Sequence, residues 1–504
     1  MKTIKNVVVL GGGTAGWLTA LFLKKTFDNI EITVVEDPAK PPIIAGESGS
    51  ANLYKIYQYL GIDMEEWVSA THAMPKAGGK FVDWKLKGTE FDHTLINSYS
   101  YYEYLYMMPE FSPHYEFLSM AIARGVPIAD VFLSGRLVKE NKVPMIMTNS
   151  GFEFIDLIMW HFDSRANADY LKNKSLQHGI KLLERTYSHA TLTDQGCIDS
   201  IHFTSNDSLT ADWFFDCSGF ARLLLGKALN EPFKDYSQYF PASSVVAWWD
   251  KSVYKPYTEV TAMDAGWAWN INLENRSGNG YVYDSTILTV DQAVLEAENR
   301  FNTKIDPVAN ISFTPSTVEN FWQKNVIGLG LSTGFIEPLE SNGLALVAIQ
   351  LQYLITTWSP AADTVSDAGR KAFNKLTREA TENIIHFLNL HYRGKRTDTE
   401  FWRKVQSTEY STDFVKELIS QWQDGVIVSS DFYGSYSVES FMFIAQALEL
   451  VDTKKLADKL QSKRSTILDE FDMCYGNLQR RITEAAETCL AIEDAKKYFY
   501  KKPL

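Results

Sequence analysis

The first residues of this chain suited to chemistry are glycines. Gly11-Gly12-Gly13-Thr14-Ala15-Gly16 follows directly on the aliphatic run Val7-Val8-Val9-Leu10. In a strand–GxGxxG–helix unit, the first glycine allows a tight turn and the second lets a pyrophosphate approach the backbone. The third lets helix and strand pack closely. Thr14 and Ala15 then lie at a helix N-terminus, where exposed N–H groups favour phosphate. Glu36 closes the run Glu31-Ile32-Thr33-Val34-Val35-Glu36, about 20 residues past Gly16, where a carboxylate suits two ribose hydroxyls. This fingerprint does not separate FAD from NAD. A second candidate anion site is Ser341-Asn342-Gly343, at the start of the helix-like apolar run Leu344 to Leu354. Gly328-Leu329-Gly330 follows a strand-like run but completes no second fingerprint.

The elements that must position these residues read as follows. Val7–Leu10 and Glu31–Glu36 are buried parallel strands, with a helix from Trp17 to Lys25 between them. Tyr54 to Val68 reads as a helix pair around Gly61, Phe81 to Lys85 as a strand, and Asp156 to Asn173 as an amphipathic helix. Ile198–Phe203, Trp213–Phe215, Val245–Trp249 and Tyr281–Asp284 read as strands. Helices are expected over Lys371–Leu390, Thr412–Asp424 and Lys454–Phe499. No repeat or Pro/Ser-rich linker divides the 504 residues. The expected organisation is residues 1–360, with nucleotide and substrate parts interleaved, and a mainly helical region 361–504 covering the substrate site.

Composition excludes several classes. A net charge of −13 speaks against nucleic-acid binding, which needs clustered Lys and Arg. Four cysteines without CxxC spacing and nine scattered histidines suggest neither a disulfide framework nor a metal site. Cys217 reads as a buried structural thiol, and His161, His386 and His391 as structural histidines beside aromatics. No signal peptide or membrane span stands out, so a cytoplasmic protein is expected. The 13% aromatic content suits a protein that holds flat ligands, and also suits an aromatic core.

Further segments point to one family. They are Met74-Pro75-Lys76-Ala77 ahead of Lys80-Phe81-x-x-Trp84, Asp216-Cys217-Ser218-Gly219-Phe220, Gly266-Trp267-Ala268-Trp269-Asn270-Ile271, and Gly334 through Gly343. Ala45-Gly46-Glu47-Ser48, Trp160-His161-Phe162-Asp163, Gly280-Tyr281-Val282-Tyr283 and Arg396-Thr397-Asp398-Thr399 accompany them. Over most of its length the chain resembles the flavin-dependent halogenases of the tryptophan-halogenase type. The resemblance implies an α/β fold: a Rossmann-like FAD-binding domain of the flavin monooxygenase type, an interleaved substrate sheet and a helical C-terminal region.

It also implies the chemistry. Reduced FAD activates O2, a halide is oxidised to hypohalous acid, and the oxidant crosses a tunnel to an electron-rich ring. Lys76 would hydrogen-bond the oxidant, or capture it as a haloamine if burial lowered its pKa. Glu340 would orient the oxidant and accept the ring proton. The backbone of Ser341, Asn342 and Gly343 would hold the halide. Trp267, Trp269 and Ile271 would wall the flavin from the substrate. Glu47 would lie in a strap between the two sites, Tyr187 near the adenine, and Leu331 and Leu344 along the flavin. No metal is implied. The partners would be a small aromatic substrate and a separate flavin reductase, with homo-oligomerisation left open.

The chain departs from the family pattern at several places. Asn342 stands where Thr is usual, and Asn272 where proline follows the Trp-x-Trp-x-Ile element. Phe432-Tyr433-Gly434 is present, but the segment after it is short and lacks clustered Trp and Asn. These departures argue against free tryptophan as the dedicated substrate and favour indoles or phenols, with Tyr99, Phe432 and Tyr433 as candidate pocket residues. A flavin aromatic hydroxylase would need no Lys76. A non-catalytic flavin-fold binder would need neither Lys76 nor Glu340.

Overall fold

A computed structural model describes residues 4–40, 46–94, 115–149, 151–361, 366–428, 432 and 434–500. The chain forms two compact units, each drawn from three segments. These units interleave along the sequence.

The first unit contains Met1–His72, Phe162–Ser237 and Phe313–Glu382. Its main sheet runs in the order Lys181–Glu184, Glu31–Glu36, Asn6–Leu10, Trp213–Asp216, Val326–Gly328, Trp322–Gln323. All neighbours are parallel except the last pair. Val7 to Leu10 are all buried, as expected for a parallel strand covered on both faces. The turn after that strand requires glycine. Gly11 has φ +124, and a Cβ there would lie 2.1 Å from the Cys217 carbonyl oxygen. A Cβ on Gly16 would lie 1.8 Å from the Gly11 oxygen. Helix Thr14–Thr26 can therefore pack only this way onto the strand it follows.

Asp216 fixes the next strand end. Its carboxylate is fully buried. It accepts from the backbone N–H groups of Ser218, Leu224 and Leu225 and from the Ser218 hydroxyl. The turn following the strand is thus anchored to a buried carboxyl group whose oxygens are hydrogen-bonded.

The second unit contains Ala73–His161, Gln238–Ser312 and Asn383–Leu504. Its seven-stranded sheet runs Pro307–Ser312, Ser244–Asp250, Ser277–Tyr283, Gly266–Asn272, Tyr257–Ala262, Gly78–Val82, Glu90–Thr94. Only the pair Tyr257–Ala262 and Gly78–Val82 is parallel. A separate strand, Met74–Lys76, pairs antiparallel with Met159–Asp163.

Three sequence expectations are corrected. The Phe81–Lys85 strand is Gly78–Val82, because Asp83 turns the chain at φ +57. The Asp156–Asn173 helix begins only at Ser164 and runs to Gln177. The bulky run Met159–Asp163 is a strand instead, and Asp163 caps the helix by accepting from Arg165 and Ala166 N–H. Lys454–Phe499 is three helices, Thr453–Lys463, Ile467–Thr488 and Ile492–Phe499. No helix among the described residues is long and apolar enough to cross a membrane.

Asp216→Ala is expected to leave buried donors unsatisfied and to destabilise the protein by about 3 kcal/mol or more. Asp216→Asn, which keeps an acceptor oxygen, is expected to lose less. Urea unfolding midpoints of the two variants check this ordering.

Candidate active site

The nucleotide loop lies in the first unit. Helix Thr14–Thr26 has Gly13 at its N-cap, with no side-chain cap and no acidic residue in its first turn. A Cβ built on Gly13 would meet nothing within 4 Å. The helix start therefore has open space beside Gly13, which fits a bound pyrophosphate. Glu36 reaches this loop, since a Cβ on Gly12 would lie 2.2 Å from its Oε2. Lys172 also pairs with the Glu36 carboxylate. Tyr187 directs its hydroxyl to the Leu223 carbonyl at 3.3 Å, and burial pushes its phenol up to about 12. Glu47 lies on the short strand Gly46–Ser48, and its side chain falls outside the described residues.

The second glycine turn of this unit is the one at Gly328–Gly334. Gly330 has φ +69, and a Cβ there would lie 3.2 Å from the Ala15 Cβ, so the turn runs close beside the start of the Thr14–Thr26 helix. Leu331 is half-buried in this turn. Farther on, Glu340 has φ 63 and Ser341 φ 55, two consecutive left-handed residues without glycine. Such conformations persist only where the surrounding structure imposes them, and they gather at functional sites. Nothing in the residue types Glu-Ser forecasts this. Helix Asn342–Thr357 follows with no side-chain cap and no acid in its first turn. Asn342 donates its Nδ2 inward to the Leu339 carbonyl at 2.9 Å. Gly343 is exposed and Leu344 half-buried. The helix start therefore carries a partial positive charge.

Lys76 lies in the second unit, at the end of the Met74–Lys76 strand, and is only 9% exposed. It pairs in register with Met159, and the next N–H, from Ala77, donates to Pro256 O at 2.7 Å. His161, opposite Met74 in that ladder, is fully buried. Its Nδ1 faces the Asn272 carbonyl at 3.2 Å and its Nε2 the Thr258 hydroxyl at 2.8 Å. A carbonyl only accepts, so Nδ1 carries the proton and Nε2 accepts from Thr258. Burial, with Lys76 nearby, holds this imidazole well below its usual pKa. One neutral ring thus ties the partner of the lysine strand to the strand bearing the tryptophans.

Trp267, Trp269 and Ile271 are buried on one face of that strand, the two indoles 6.0 Å apart. Among the described residues neither indole N–H has a hydrogen-bond partner. Gly280 on the neighbouring strand makes room for Trp269, because a Cβ there would lie 2.2 Å from the indole ring. Sequence reasoning gave Gly280 no role. Asn272, where the resemblance expects proline, accepts from the Ser277 hydroxyl and Val253 N–H and donates to Asn270. Phe432 packs edge-on against Phe441, with centroids 4.8 Å apart. Tyr99 and Tyr433 fall outside the described residues.

The fold and these loops define an α/β protein with a dinucleotide-binding unit. The sequence profile of tryptophan halogenases matches residues 6–462. The chain belongs to this family of flavin-dependent halogenases. It is 30% identical to the tryptophan 7-halogenase KtzQ of Kutzneria sp. (strain 744), over 86% of each chain. The solved tryptophan 6-halogenase SttH of Streptomyces toxytricini is similar with a TM-score of 0.85 and 26% identity, covering 98% of this chain and 99% of that one. BrvH, a flavin-dependent halogenase from Brevundimonas sp. BAL3, gives a TM-score of 0.81 at 25% identity over 98% and 99%.

Two expectations follow from the second unit. His161 is neutral in the folded protein, so above its unfolded pKa of about 6.5 its titration contributes nothing. Below that pH the unfolded chain takes up a proton that the folded chain refuses. Stability then falls by up to about 1.4 kcal/mol per pH unit. Asp156, pushed up to about 7 by burial, acts with the opposite sign as pH falls from 7 towards 4. Subtracting His161→Gln from wild type at each pH isolates the His161 slope in urea titrations. Separately, Gly280→Ala is expected to displace the Trp269 indole and lower thermal stability, since overpacking costs about 1–3 kcal/mol. Calorimetry checks it.

Proposed function

We propose that this chain is an FAD-dependent halogenase that uses reduced FAD, O2 and a halide to halogenate an electron-rich aromatic ring of the indole or phenol class. The observation that carries the reading is the halogenase family match in a chain whose Lys76 is nine-tenths buried at a strand end. When bound, reduced FAD would supply two electrons to O2, so that one oxygen atom leaves as water and the other joins the oxidised halide as hypohalous acid. The chain's own residues bind and direct.

Gly11, Gly13, Thr14, Ala15 and Gly16 hold the pyrophosphate and Glu36 the ribose. Glu47, Tyr187, Leu331 and Leu344 line the cofactor. The N–H groups of Ser341, Asn342 and Gly343 hold the halide at the positive end of their helix. Trp267, Trp269 and Ile271 keep the oxidising centre apart from the substrate, so oxygen is not inserted directly. Lys76 donates a hydrogen bond to the hypohalous oxygen, which draws electron density from the halogen. The ring forms a carbon–halogen bond as the halogen–oxygen bond breaks, and the hydroxide released takes up a proton and leaves as water. Glu340 takes the proton lost from the ring carbon.

Phe432 lines a substrate pocket not dedicated to free tryptophan. Reduced FAD comes from a separate reductase. Four cysteines without CxxC spacing fit a reducing cytoplasm.

The test is mass spectrometry of reactions containing FAD, a flavin reductase, NADH, O2 and a panel of indoles and phenols. Chloride, bromide and iodide are supplied separately, with catalase present. Halogenated product is expected from the wild type. In Lys76→Ala it is expected to fall by about 100-fold or more, with flavin oxidation retained. Hydroxylated product without halide would instead establish a hydroxylase.

A further inference from the structure

Arg222 stands out in the first unit. It follows the short turn Gly219–Ala221 and has φ 48 and ψ 52, a left-handed conformation that a bulky side chain rarely adopts. Its guanidinium carbon lies over the Phe233 ring, 3.5 Å from the centroid. Its Nε donates to the Ser332 carbonyl at 3.2 Å and its second terminal nitrogen to the Glu231 carbonyl at 2.7 Å. The position is also made for this side chain. A Cβ on Gly226 would lie 2.8 Å from the Arg222 Cβ and 3.0 Å from its guanidinium carbon. Three unrelated features therefore converge on one arginine: a strained backbone, a glycine that makes way, and an aromatic platform.

The residue it grips has consequences. Ser332 lies in the Gly330–Thr333 turn and is fully buried. Its hydroxyl reaches the Asp216 and Leu329 carbonyls at 2.5 and 3.0 Å. The same turn bears on Ala15 of the nucleotide loop through Gly330. Arg222 thus holds the turn that runs close beside Ala15 of the glycine loop. A planar fork with donors at fixed angles suits this better than a flexible ammonium.

We propose that Arg222 is a positioning residue for the flavin. It clamps the Gly330–Thr333 turn against the nucleotide loop and thereby sets cofactor affinity. This rests on the flavin reading above. A strained residue that served only general stability would be relieved by glycine, whereas one that positions a site loses its function.

The experiment uses the full-length apo protein and Arg222→Gly, with Arg222→Lys as a second variant that keeps the charge and loses the fork. Hydrogen exchange of peptides covering 329–335 is read beside FAD affinity by calorimetric titration. Exchange of that turn is expected to quicken about fivefold or more in Arg222→Gly, with the strands Asn6–Leu10 and Glu31–Glu36 unchanged. FAD is expected to bind about tenfold more weakly. Arg222→Lys should shift both quantities in the same direction. Unchanged exchange and affinity in both variants would overturn the proposal. Quickened exchange across the whole first unit would also overturn it, by showing a general structural role. Wild-type protein that takes up no FAD would remove the flavin reading itself, a failure separate from that of the clamp.

Discussion

The first unit depends on one close approach of backbone to backbone. The Val7–Leu10 strand, the helix after it and the Asp216–Cys217 strand end meet where no Cβ fits at Gly11 or Gly16. Because the helix can come this near, its N-terminus opens beside the strand ends, where parallel sheets bind ligands. The buried Asp216 carboxylate then fixes the neighbouring turn, and the Ser332 hydroxyl ties a third turn to the Asp216 carbonyl. The turns beside the glycine loop are thus tied to one another by buried side chains that hydrogen-bond backbone groups of a neighbouring turn.

Arg222, Glu340 and Ser341 are left-handed without being glycine, as are His72, Asn206, Asn230 and Lys324 in the same unit. Regular strands and helices elsewhere in the unit keep ordinary backbone angles and supply the packing that holds these connections in place. In the second unit the device is different. There a buried polar network of His161, Thr258, Asn272 and Ser277 joins the lysine strand's partner to the tryptophan strand. Its groups are hydrogen-bonded to one another, so it specifies a register without leaving a charge buried in His161.

Local patterns were legible where one element decides its own fate. The aliphatic runs, the glycine loop, Gly61 at a helix end and the helices Asp367–His391 and Asp413–Gln423 appear where expected. The reading failed where a strand sat inside a helical-looking stretch. Met159–Asp163 reads as part of an amphipathic helix until the Met74–Lys76 strand is there to pair with it, because β preference is largely a matter of what the strand packs against.

The sequence by itself determined the dinucleotide turn, the family and the candidate residues Lys76, Glu340, Trp267 and Trp269, because each is carried by residue types at short, fixed spacing. Only the tertiary structure decided the roles of Gly280 and Gly226, the tautomer of His161, the consecutive left-handed pair at Glu340–Ser341 and the grip of Arg222 on Ser332. Those depend on neighbours remote in the chain: a glycine's role is defined by the atom that fills its missing side chain, and a ring's proton by the carbonyl that faces it.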